Sequence, residues 1–158
     1  MSGEGAPRIA VPRLTDARVA IVSSQWHMQV CQALVDGARR ACNEAAISEV
    51  RVEWVPGSFE LPLASAYLFD NGYDAVVAVG VVLRGETPHF DFVCDGVTSG
   101  IMDLMLAVKK PIGFGVLMCD TLEQAIARAG LSGSAEDKGY EAANAALQML
   151  DLERRILQ

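Results

Sequence analysis

Four short apolar runs, each followed by apolar residues at helical spacing, dominate the hydrophobic pattern of this chain. Arg18-Val-Ala-Ile-Val-Ser-Ser24 is rich in β-branched residues, and Val30, Leu34, Ala38 and Cys42 then recur on one helix face. Glu49-Val-Arg-Val-Glu-Trp-Val55 alternates polar and apolar up to Pro56-Gly57, and residues 59–69 support a helix closed by Asn71-Gly72. Residues 74–83 are apolar almost throughout, as expected of a central parallel strand covered on both faces. Val93, Val97, Ile101, Leu104 and Val108 follow in helical register. Pro111-Ile-Gly-Phe-Gly-Val-Leu-Met118 predicts a fourth strand, residues 121–129 a helix capped by Asp120 or Thr121, and residues 135–157 a long final helix.

Four strand-then-helix units without internal repeats predict an α/β protein: a three-layer α/β/α sandwich around a four-stranded parallel sheet of flavodoxin-like topology, with right-handed crossovers. Residues 18–158 read as one domain and residues 1–17 as an N-terminal arm. Within the arm, Ile9-Ala-Val-Pro12 is strand-like but too short and proline-bound for a central strand. It is either a tail without fixed structure or an edge strand added to a neighbouring molecule's sheet.

Composition narrows the class. A length of 158 residues with 51% hydrophobic content suits one domain with a sizeable core. No stretch approaches the ~18 apolar residues of a membrane span, and Met1-Ser-Gly-Glu-Gly-Ala-Pro7 lacks the basic start and apolar run of a secretory signal. A soluble, cytoplasmic protein is expected. Cys31, Cys42, Cys94 and Cys119 form no Cys-x-x-Cys pair and sit in or beside apolar segments, so they read as small core residues. His27 and His89 show no metal-ligand spacing, and no metal site is expected. Thirteen basic against twenty acidic residues give a formal charge of −7, which disfavours nucleic acid and anionic membrane as partners. An anionic ligand would need a local site.

In open parallel sheets ligands bind beyond the carboxyl ends of the strands. The residues there are Ser24, Gln25, Trp26 and His27 after the first strand, Gly57, Ser58, Phe59 and Glu60 after the second, and residues 84–89 after the third. Trp26 offers a flat face, Phe59 can frame the other side of a planar ring, and Glu60 can hydrogen-bond its edge. The plainer alternative makes Trp26 a staple for the first helix. Gly85, Glu86 and Thr87, leading into a helix, offer backbone N–H groups and a hydroxyl to an anion, although a simple turn explains them equally well. His89 can exchange protons near neutral pH, or serve only as a structural residue near the helix start. Asp91 and Asp95 share a helix face and read as capping and solvating groups. Arg128 and Lys138 flank the Gly130-Leu-Ser-Gly-Ser134 link and are candidates for binding an anion, with surface charge as the alternative.

Taken together, Ser24-Gln-Trp-His27, Val55-Pro-Gly-Ser-Phe-Glu-Leu-Pro62, residues 80–91, Arg128-Ala-Gly130 and Lys138-Gly139 resemble the 6,7-dimethyl-8-ribityllumazine synthase family, and the likeness spans residues 19–150. The resemblance implies a transferase of riboflavin biosynthesis. It would condense 5-amino-6-(D-ribitylamino)uracil with 3,4-dihydroxy-2-butanone 4-phosphate to 6,7-dimethyl-8-ribityllumazine, releasing phosphate and water, with no cofactor. It implies that Trp26 stacks on the pyrimidine, that Ser58, Phe59 and Glu60 hold the ribityl chain and ring edge, and that the backbone of Val81, Val82 and Leu83 reads the uracil. Gly85, Glu86 and Thr87 would bind the phosphate with Arg128 and Lys138, and His89 would shuttle protons. It further implies a homopentamer with active sites between subunits, the neighbour contributing Phe114 and Arg128, and the Ile9-Ala-Val11 segment joining the adjoining sheet. Phe114 fits that picture, because it lies too early in its strand to reach its own crevice. A link between the last two helices longer by about two residues than in shell-forming members implies free pentamers rather than icosahedral shells. The alternatives are a non-catalytic flavin or lumazine carrier and a shell-forming protein of the same fold.

Overall fold

A computed structural model describes residues 9–157. The strands are β1 (Val19–Ser24), β2 (Val50–Val55), β3 (Ala75–Leu83) and β4 (Ile112–Cys119), all parallel, in the order β2-β1-β3-β4. Every residue of β1 is buried, its closing Ser23 and Ser24 included, as are the first seven of β3, which agrees with their apolar runs and central positions. The expected three-layer, flavodoxin-like sheet is what the chain forms.

Side-chain alternation sends Val19, Ile21, Val77 and Val79 to one face, under α1 (Met28–Glu44) and α5 (Lys138–Ile156). Ala20, Val22, Val76 and Ala78 point to the other, under α2 (Leu61–Asp70) and α3 (His89–Val108). Each fully buried Val, Ile or Leu in these layers contributes about 1.5–3 kcal/mol. All four cysteines are buried, and burial pushes the Cys42 thiol up to about 11.

Three helix boundaries differ from the expectation. The predicted helix over 59–69 opens instead with a 3-10 turn, Ser58–Glu60, and α2 runs from Leu61 to Asp70. The predicted helix over 121–129 shrinks to α4 (Leu122–Ile126), capped by Thr121, whose hydroxyl accepts from Gln124 N at 3.3 Å. The final helix starts at Lys138 rather than residue 135. Both of the later shifts have one cause: the Ala127 carbonyl accepts the N–H groups of Ala135 and Glu136 at 2.9 and 3.1 Å, folding the link back on itself. The fold-back pairs residues 127–130 with 135–138 across the link, including an antiparallel bridge between Ala129 and Asp137, a backbone course that neither helix can follow; Asp137 then caps α5 by accepting from Tyr140 N at 3.0 Å.

Residues 13–17 join the body. Leu14 and Ala17 are buried in the α1/α5 core, and Leu14 N donates to Ala45 O at 2.8 Å. Asn144 Nδ2 on α5 donates to Ile9 O at 2.9 Å, and residues 9–12 form no strand with the sheet. The rest of the arm, residues 1–8, lies outside the described residues. Among the described residues, no helix is long and apolar enough to cross a membrane.

Candidate functional site

In the order β2-β1-β3-β4, successive connections leave on opposite sides of β1 and β3, and a crevice opens at the carboxyl ends of these two strands. A cleft of about 670 Å³ lies there. Its walls come from the β1–α1 turn, the β2–α2 turn, the end of β3 and the start of α3.

The β1–α1 turn holds Trp26 by its backbone. Gln25 N donates to Val55 O at 3.1 Å, and the buried Cys31 thiol donates to Trp26 O at 3.0 Å. Burial raises the Cys31 pKa, keeping the sulfur protonated as that donor. His27 is the N-cap of α1, yet it adopts the left-handed conformation (φ 55°, ψ 56°) where caps are ordinarily extended. Trp26 is 66% exposed and lines the cleft, so it does not staple the helix.

The β2–α2 turn brings Ser58, Phe59 and Glu60 to the cleft. Phe59 lies against α3 where Gly96 leaves room: a Cβ there would come within 2.6 Å of the ring. A Cβ on Gly57 would lie 3.1 Å from Glu60 Oε2 and 3.7 Å from Trp26 Nε1, so this glycine lets the carboxylate and the indole share one wall. Ser58 Oγ is buried and has no hydrogen-bond partner among the described residues. Buried hydroxyls are nearly always satisfied, and this one is available to a ligand or water.

The third wall is backbone. β1 pairs with β3 only as far as Ser23 with Val79, whereas β4 accompanies β3 to Leu83 with Cys119. Val81, Val82 and Leu83 therefore line the cleft beyond the reach of the β1 ladder. A planar ring carrying donors and acceptors on its edge suits such a strand end. His89, the first residue of α3, closes the cleft with Phe92 and Val93.

The remaining predicted residues lie outside this cleft. Gly85, Glu86 and Thr87 form an exposed loop just before His89, and their N–H groups donate to nothing among the described residues. A Cβ on Gly85 would meet no atom within 4 Å, so no contact among the described residues demands glycine there. Phe114 is 41% exposed, faces the α2/α3 side of the sheet and pairs in register with Ala78. Arg128 donates from Nη1 to Gln124 O at 2.9 Å. Lys138 Nζ lies 2.6 Å from both Glu136 Oε2 and Glu141 Oε2. Burial alone would lower the Lys138 pKa, but the two carboxylates outweigh it and raise it; Lys138 in turn draws the Glu136 carboxyl below its ordinary value.

A family model described as 6,7-dimethyl-8-ribityllumazine synthase matches residues 16–154. The chain belongs to the 6,7-dimethyl-8-ribityllumazine synthase family. Relatives of that name include one from Streptomyces coelicolor, 56% identical over 147 residues that cover 93% of this chain and 91% of the relative. Another, from Paenarthrobacter aurescens, is 55% identical over 152 residues, covering 93% and 94% of the two chains. A third, from Kineococcus radiotolerans, is 52% identical over 148 residues, covering 94% and 91%.

Of the site residues expected from the sequence, Trp26, Ser58, Phe59, Glu60, Val81, Val82, Leu83 and His89 converge on one cleft of this lumazine synthase family member. Pro56, Phe92 and Val93 line it too, as do His27 and Gly57, which the sequence places just after the first and second strands. Pro56 and Gly57 were legible as the turn after the second strand. Phe92 and Val93 were legible as the residues one helical turn beyond His89, on the face that a helix starting at His89 presents to the crevice.

Proposed function

We propose that this chain condenses 5-amino-6-(D-ribitylamino)uracil with 3,4-dihydroxy-2-butanone 4-phosphate to give 6,7-dimethyl-8-ribityllumazine, phosphate and water. The observation that carries this reading is the end of β3, Val81, Val82 and Leu83, running past its β1 partner in a cleft between Trp26 and His89. The uracil edge hydrogen-bonds that backbone while Trp26 stacks on the ring. Ser58 Oγ, Phe59 and Glu60 hold the ribityl chain and ring edge. Gly85, Glu86 and Thr87 bind the phosphate through N–H groups that have no partner among the described residues and through the Thr87 hydroxyl.

The ring amine of the uracil attacks the butanone carbonyl, and loss of water gives an imine. Elimination then expels phosphate and leaves an enol, which is protonated on its terminal carbon to a methyl ketone; the ribitylamino nitrogen attacks that carbonyl and closes the second ring with loss of another water. Each step moves a proton, and His89 at the mouth of the cleft is the group suited to carry it. No strong nucleophile is required; holding two reactants together supplies most of the acceleration.

Phe114 and Arg128 complete the site from a neighbouring subunit of a homopentamer, Lys138 adds to the phosphate seat, and the Ile9-Ala-Val11 segment of the arm reaches the neighbour's sheet. Supporting this, among the described residues β2 pairs only with β1, leaving its other edge open, and α3 exposes Phe92, Met102 and Leu106 at 71, 51 and 70%. Residues 18–158 act as one catalytic domain in the cytoplasm, as free pentamers. Sedimentation at neutral pH checks the assembly, and particles much larger than a pentamer refute that part of the reading.

The decisive experiment mixes the purified protein with both substrates and follows lumazine fluorescence. Formation no faster than the uncatalysed condensation refutes the function. His89→Ala should lower kcat roughly 10- to 100-fold, at the low end of acid/base effects, while product affinity changes about twofold or less.

A further inference from the structure

We propose that Arg84 is a positioning residue for the phosphate-bearing substrate: it ties the loop at residues 85–87 to α3 and β4 and halves the negative charge of two carboxylates that repel the anion. The inference rests on the reading of that loop as the phosphate seat.

Arg84 follows β3 directly, and its N–H donates to Cys119 O at 3.0 Å, extending the β3/β4 ladder by one residue. Its side chain then spans three elements. Nε donates to Asp120 Oδ1 at 2.8 Å, just beyond β4, and Nη1 to Asp91 Oδ1 at 3.3 Å, in the first turn of α3. The guanidinium carbon sits 4.1 Å from the centre of the Phe90 ring. The loop thus leaves from Arg84 and returns at Pro88 and His89, next to two residues that Arg84 itself grips.

The loop makes few contacts of its own. Its three N–H groups have no partner among the described residues, and Asp91 N donating to Pro88 O at 3.0 Å is the first bond of the following turn. Its conformation is therefore set at its two ends, and Arg84 joins them.

Charge points the same way. Arg84 is already shared between two carboxylates, so it is not the direct phosphate ligand. Without it, Asp91 and Asp120 would stand uncompensated beside a loop that has to receive an anion, and both are well exposed. All three side chains face solvent, so the ion pairs add little to stability; the effect falls on the approach and seating of the phosphate. A lysine replaces this arginine only in part: an ammonium can bridge two carboxylates, as Lys138 does, but it has no planar face to lay on the Phe90 ring at the same time.

The test is steady-state kinetics of the full-length protein with each substrate varied separately, beside thermal melting. Arg84→Gln should raise KM for the butanone phosphate roughly tenfold, leave KM for the aminouracil within about twofold, and melt with the wild type. Arg84→Lys should show the same selectivity with a smaller rise. Adding Asp91→Asn and Asp120→Asn to Arg84→Gln should recover part of the lost KM, which a purely structural role would not permit. The proposal is overturned if both KM values rise alike, if neither moves, or if removing the carboxylates brings no recovery. If Arg84→Gln does not fold, the same comparison is made with Arg84→Lys, and an unselective change there overturns it as well. Failure of the wild type to form lumazine would instead refute the functional reading, not this one.

Discussion

Phe59 rests on the bare backbone of Gly96: a Cβ at that position would stand 2.6 Å from ring atom Cε2. The contact joins the β2–α2 turn to the second turn of α3 and sets the width of the cleft between them. Gly100, one helical turn further on, receives Pro62 in the same way, with a Cβ there 3.0 Å from the proline ring.

Gly96→Ala should therefore displace a ring that is 59% exposed and free to swing outward. The fold should survive, and affinity for the lumazine product should fall about fivefold, the scale of a mild overpacking cost of about 1 kcal/mol. Fluorescence titration measures it. Unchanged affinity would mean that Phe59 does not frame the ligand.

Ser58→Ala removes a buried hydroxyl that has no partner among the described residues. An unmet buried polar group costs about 1–3 kcal/mol, so the ligand-free variant should be at least as stable as the wild type. Its affinity for the ribityl-bearing substrate should nevertheless fall by about 1 kcal/mol, the worth of one hydrogen bond. A lower melting temperature together with unaltered binding would contradict both halves of this expectation.

His27 occupies a left-handed backbone conformation at an N-cap, where a side chain is strained by about 1–2 kcal/mol. His27→Gly should relieve that strain and raise the midpoint of thermal unfolding, less the entropy that glycine restores to the unfolded chain. The turn would then hold Trp26 less firmly, and ligand affinity should drop. Stabilisation without loss of affinity would show that the strain has no part in binding.

Acid should weaken the link between α4 and α5. Lys138, 2.6 Å away, holds the Glu136 carboxyl below its ordinary 4.5. A depressed folded-state pKa adds stability that is complete above the unfolded value and is lost as pH falls through the folded one. The stability gap between wild type and Glu136→Gln should thus be constant from about pH 7 to 5 and close below about 4.5. Urea unfolding at pH values across this window measures the gap. A gap that stayed constant down to about pH 3 would show that the ion pair contributes nothing.

Local pattern alone located all four strands, because β1 opens with four apolar residues, β3 is a continuous apolar run and β2 alternates before Pro56-Gly57. It also located most cleft residues, since Trp26, Ser58 and His89 stand in or at the end of the turns that follow strands whose carboxyl ends must face the crevice. Helix ends were less legible. Nothing in the periodicity of residues 121–137 reveals that Ala127 O captures Ala135 N and Glu136 N, a pairing across a turn rather than along a helix.

The sequence by itself determined the class of fold, the order of its elements and the chemical character of each strand end, because these depend on periodicity and composition over a few residues. Only the tertiary structure decided that β3 outruns β1 at the cleft, that Phe59 lies on Gly96, that His27 takes a strained turn, and that Arg84 reaches Asp120, 36 residues away. Each of these depends on the approach of segments distant in the chain. Close packing fixes such distances to within a methyl group, and no local pattern encodes them.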